Sequence, residues 1–60
     1  MAYTLHWQTT SVPGEATSVH ADYTAAVAAE AAKAAEIMNE YWFHLWLDDG
    51  LNTVHSTERF

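Results

Sequence analysis

The sequence predicts an α+β fold, one helix packed on a four-stranded antiparallel sheet in the order ββαββ. Three observations carry this. Apolar and polar residues alternate over 2–10. A run over 23–40 is dominated by alanine, glutamate, lysine and methionine and holds neither glycine nor proline. An Asp49-Gly50 pair lies between the last two strand-like segments.

The first segment sets Tyr3, Leu5, Trp7 and Thr9 on one side and Thr4, His6 and Gln8 on the other. A period of two is the mark of a half-buried strand. Val12-Pro13-Gly14 breaks the pattern: proline fixes φ and glycine accepts a positive φ, so a tight turn fits. Alternation resumes over 15–21, with Thr17, Val19 and Ala21 opposite Ala16, Ser18 and His20. The two segments read as a hairpin. A three-residue turn at 12–14 would set His6 opposite His20 and Trp7 opposite Val19.

Asp22 is the expected helix N-cap, with Thr24 as competitor. The residues of 23–40 are good helix formers. Tyr23, Val27, Ala31, Ala34, Met38 and Tyr41 fall three or four apart and form the expected core stripe. Ala29, Lys33, Glu36 and Glu40 lie broadly opposite, and Glu30 at the border is placed to pair with Lys33.

Residues 41–47, Tyr-Trp-Phe-His-Leu-Trp-Leu, are too short for a second helix and rich in strand formers. Asp49-Gly50 is a strong hairpin signal, which makes 51–56 the last strand and leaves 57–60 as a loose tail. A two-residue turn there would set His44 opposite His55 and Leu45 opposite Val54. A three-stranded sheet with an unpaired C-terminal segment is the fallback architecture.

Size and charge bound the function. At 60 residues the chain is one domain, and such a domain buries only about 60% of its unfolded surface. A catalytic pocket, usually roughly 300 Å³ or more, would hollow out most of its core. No cysteine is present, which excludes disulfides and thiolate metal sites and favours the cytoplasm. The N-terminal residues lack the basic and apolar regions of a signal peptide. Eight acidic residues face two basic ones, for a formal net charge of −6. Direct contact with nucleic acid or an anionic membrane is disfavoured, because phosphate contacts need Lys and Arg. A protein partner with a basic surface is the natural complement.

Two surfaces are candidates. If Phe43, Leu45 and Leu47 face the helix, then Trp42, His44 and Trp46 face outward as interface anchors; the opposite assignment turns the tryptophans inward. The acidic side chains Glu30, Glu36 and Glu40 on the helix and Asp48 and Asp49 in a turn form the second surface, spaced to imitate a phosphate backbone. The expected registers place His6, His20, His44 and His55 on the face away from the helix. They form one row if the first and last strands are neighbours. A flat row spreads imidazoles too far for one ion, so neither metal nor cofactor is expected. The only glycines are Gly14 and Gly50, so there is no phosphate loop, and no serine sits in a nucleophile motif.

The element order, with Met1, Tyr3, Leu5, Gly14, Glu15, Thr17, Asp22, Ala26 and the Asp48-Asp49 pair, resembles the immunoglobulin-binding domain of streptococcal protein G. That resemblance implies a general protein-recognition module. The family's antibody-contacting helix positions carry Val27, Ala28 and Ala31 here, so antibody binding does not carry over. The whole-chain profile, tiny, acidic and without cysteine, resembles the small inhibitors of phages and mobile elements, among them the anti-CRISPR proteins. This second resemblance has no shared motif. It implies a stoichiometric DNA mimic that blocks the basic surface of a nucleic-acid-handling complex in the host cytoplasm, as a monomer or weak dimer. Glu30, Glu36, Glu40, Asp48 and Asp49 would steer, and Trp42 and Trp46 would anchor.

Overall fold

The computed structural model describes residues 2–12 and 14–59. The fold is α+β. It comprises β1 (Tyr3–Thr9), β2 (Ala16–His20), α1 (Tyr23–Ile37), β3 (Phe43–Asp48) and β4 (Thr53–Arg59). The four strands make one antiparallel sheet in the order β2-β1-β3-β4. β1 and β3 are central, and the last strand lies at an edge, not beside the first. The chain continues as strand through Arg59 where a loose tail was expected; Phe60 lies outside the described residues.

Both hairpin registers differ from the expected ones by three residues. His6 lies opposite Thr17, and Tyr3 lies opposite His20. Pro13, part of the expected turn, lies outside the described residues; Gly14 has φ +78. The β1–β2 connection is longer than three residues because Thr9 ends the strand by bending the chain. Its buried hydroxyl accepts hydrogen bonds from Ser11 N (3.2 Å) and Val12 N (3.1 Å). At the second hairpin, Leu47 lies opposite His55 and His44 opposite Glu58, with a bulge at Leu47/Asp48. The turn spans residues 49–52. Asp49 Oδ1 accepts from Leu51 N (2.9 Å) and Asn52 N (2.8 Å), and Asp49 N donates to Asn52 O (3.1 Å). Gly50 sits at φ +96, a conformation side chains resist.

An odd shift turns a strand over. Ala16, Ser18 and His20 therefore share the helix side with Tyr3, Leu5 and Trp7, and His55 joins them from β4. His6 and His44 alone face away. The expected row of four histidines does not form, and no group of metal-binding geometry exists among the described residues.

Asp22 caps the helix as expected, in extended conformation with its carboxylate accepting from Ala25 N at 2.8 Å. Such a cap contributes about 1 kcal/mol. The helix ends at Ile37, earlier than predicted, and Glu40 lies beyond it. Arg59 Nη1 closes the C-terminus by donating to Met38 O at 3.0 Å.

The buried stripe is rotated about one residue, roughly 100°, from the expected one. Ala26 and Ile37 are buried, with Glu30 and Lys33 between them, while Tyr23 and Met38 are about half exposed and Tyr41 is 83% exposed. Alanines on all sides leave the stripe's centre undefined in the sequence. Side chains at its ends and middle decide it: Ile37 enters the core, and Lys33 sets its amine over the indole of Trp7, 4.4 Å from the ring centroid. Lys33 pairs with Glu36 (3.1 Å) and not with Glu30. The core between helix and sheet is Leu5, Ala26, Ile37, Phe43, Leu45 and Leu47. Full burial of each leucine stabilises by about 1.5–3 kcal/mol. Among the described residues no helix is long and apolar enough to cross a membrane.

Candidate functional site

One helix covers one face of the sheet, so the other face has no second layer. Strand parity decides what it carries. Phe43, Leu45 and Leu47 point into the core, which sends His44, Trp46 and Asp48 outward. β1 adds His6, whose Cα partner is Trp46, and β4 adds Ser56 opposite Trp46 and Glu58 opposite His44.

Trp46 is the centre of this face. The His6 imidazole stacks parallel to its indole at 5.0 Å with an interplanar angle of 2°. The His44 ring lies 4.3 Å away, tilted by 31°. These contacts leave Trp46 half-buried although no other element covers it.

Carboxylates surround the stack. His6 Nδ1 lies 2.8 Å from Glu15 Oε2, and His6 Nε2 meets Asp48 Oδ2. An imidazole donates from both nitrogens only as the cation. Burial works against that charge, but the hydrogen bonds to Glu15 and Asp48, reinforced by their negative charge, outweigh it and raise the pKa of His6 above its ordinary value. The other oxygen of Asp48 accepts from Gly50 N at 2.9 Å, fixing the carboxylate toward His6. His44 Nε2 lies 3.3 Å from Ser56 Oγ and 3.9 Å from Glu58 Oε2. The face thus presents three carboxylates and two imidazoles around an aromatic centre.

The acidic residues expected to act together are dispersed. Glu30 is not a solvent-facing side chain. It lies on the sheet side of the helix, 16% exposed, with Oε1 3.0 Å from His55 Nδ1; His55 Nε2 in turn meets the Tyr23 hydroxyl at 3.1 Å. Glu36 is exposed and paired to Lys33. Glu40 lies past the helix and binds Ser11 N at 3.1 Å, tying the β1–β2 connection to the segment before β3. Hydrogen bonds from Ser11, its side chain first, lower the Glu40 pKa. Asp49 is lowered by the backbone amides of Asn52 and Leu51 that it caps. Trp42 precedes β3, with its backbone bonded on both sides to Thr10. Of the expected set, Asp48 and Trp46 join one cluster, each against His6. Glu15 and Glu58 complete the cluster without having been expected: Glu58 needed β4 to run past residue 56, and Glu15 needed the shifted β1–β2 register.

No protein-family model matches the chain, and neither a curated protein nor a solved structure gives a match.

Proposed function

We propose that this chain is a ββαββ recognition module that acts without catalysis, binding a protein partner through the open face of its sheet. The partner's surface is basic and belongs to a nucleic-acid-handling complex, whose phosphate-binding site the module occupies in the cytoplasm. The observation that carries this reading is the cluster of Glu15, Asp48 and Glu58 around the His6–Trp46–His44 stack. An aromatic centre with a charged rim is the composition of a binding hot spot, and a net charge of −6 steers it toward positive surfaces. Glu30, Glu36 and Glu40 contribute long-range field only, because each already binds a group within the fold.

The test is competition with DNA or RNA for a panel of purified nucleic-acid-binding complexes at low and high salt. Inhibition should fall with salt, and Glu58→Lys should weaken it more than Glu36→Lys does. Inhibition lost in Glu36→Lys but kept in Glu58→Lys would move the binding surface to the helix. No inhibition of any complex would remove the nucleic-acid part of the reading.

A further inference from the structure

The two edges of the sheet are not equivalent. The helix backbone packs over β2, β1 and β3, and among the described residues it reaches β4 through the side chains of Tyr23 and Glu30, which meet His55. β4 has a single strand neighbour, and six of its seven residues are exposed, with His55 intermediate. Alternate backbone N–H and C=O groups of an edge strand point outward unpaired. Natural edges are blunted by proline, charged side chains, lysine above all, or bulges; the charges of β4, Glu58 and Arg59, stand together at its C-terminal end and are of opposite sign. β4 contains neither proline nor lysine, and its bulge lies near its start, across from Leu47/Asp48. From His55 to Arg59 the strand is regular.

We propose that β4 pairs antiparallel with β4 of a second copy of this chain, about a two-fold axis at Thr57, making one eight-stranded sheet. The register follows from the strand itself. Pairing about Thr57 uses only the regular stretch 55–59, whereas pairing about Ser56 would run Glu58 into the bulge at Val54. In the Thr57 register, Arg59 lies opposite His55 and Glu58 opposite Ser56, so no like charges meet. Arg59 and His55 share the helix side, and the Glu30 carboxylate sits at His55 Nδ1, 3.0 Å away. Each Arg59 guanidinium therefore arrives beside a carboxylate of the other copy. It has five N–H donors, of which Nη1 supplies the bond to Met38 O. This self-complementarity is what an isologous two-fold contact requires, and it selects a second copy over an unrelated strand. Trp46 and its rim lie on the open face and stay accessible.

Sedimentation or light scattering of the 60-residue chain between about 10 µM and 1 mM should show the mass rising from 6.7 kDa toward twice that value. The chain has no cysteine, so Thr57→Cys introduces a single thiol that faces its own copy. Residues directly opposed in an antiparallel pair have Cα atoms about 4.5–5.5 Å apart, within the disulfide range of roughly 4.4–6.8 Å. Mild oxidation should link Thr57→Cys into dimers, while Val19→Cys, on the β2 edge and 69% exposed, stays largely unlinked. Thr57→Lys sets two ammonium groups against each other and should return the chain to 6.7 kDa with an unchanged circular dichroism spectrum. A monomer at every concentration, a dimer indifferent to Thr57→Lys, or equal cross-linking from Val19→Cys would overturn the proposal. Should Thr57→Lys fail to fold, the mass of the unmodified chain and the two cysteine variants still decide it.

Discussion

Leu45 and Trp46 are neighbours in β3, yet they belong to two kinds of surface. Leu45 is 1% exposed and packs among Leu5, Leu47, Ala26 and Ile37 under the helix. Trp46 has no layer above it and is half-buried by two imidazoles and the sheet. The covered face is held by removing apolar surface from water, which is non-directional. The open face is held by stacking and ion pairs that fix each side chain by its neighbours. Order on an uncovered sheet thus needs no second layer, provided polar groups interlock. A face ordered in this way is already preorganised for contact, which lowers the entropy cost of binding.

Substitutions along β3 should break the two faces differently. Leu45→Ala should cost about 2–5 kcal/mol, because a buried leucine leaves a cavity; urea unfolding measures it, and a loss below about 1 kcal/mol would deny the core as described. Trp46→Ala should cost only about 1–2 kcal/mol from its partial burial, and its larger effect should be on partner binding. Equal destabilisation by the two would mean that the open face is part of the core.

The helix offers a second contrast. Glu30→Ala should cost about 1 kcal/mol through the lost hydrogen bond to His55, whereas Glu36→Ala, exposed and paired only with Lys33, should stay within about 0.5 kcal/mol. The smallest effect concerns pH. A raised His6 pKa means that the clamp by Glu15 and Asp48 contributes fully below the ordinary histidine value of about 6.5. That contribution is lost as the pH rises through the raised value. An NMR titration of His6 should therefore give a midpoint above about 6.5, and His6→Gln should flatten the fall in Tm between mildly acidic and mildly basic solution. A midpoint below 6.5 would leave the stack without its cation.

Parity was legible in the sequence, and register was not. The alternation of 43–47 set Phe43, Leu45 and Leu47 on one face and His44 and Trp46 on the other, because period two fixes which side chains share a face; it left open which set meets the helix, and the structure turns the leucines and Phe43 inward. Asp22 was legible as a cap for a local reason, its reach to Ala25 N. The pairings of His20 and His55 depend on how many residues the connections take up. Thr9 and Asp49 lengthen both connections through hydrogen bonds to amides two or three residues on. Each shift is odd, so both histidines moved to the helix side. Glu30, expected at the border of the helix stripe, is carried to the sheet side by the rotation of the helix and meets His55 there. The helix rotation was hidden by alanines that carry almost no directional signal.

The placement of Lys33 bears on how the molecule meets proteases. Trypsin cuts after lysine and arginine, and the chain offers it Lys33 and Arg59. Lys33 lies mid-helix, its amine over Trp7 and paired with Glu36. Cleavage there requires the helix to unwind and lift from the sheet, so the rate of that one cut reports the population of the opened chain.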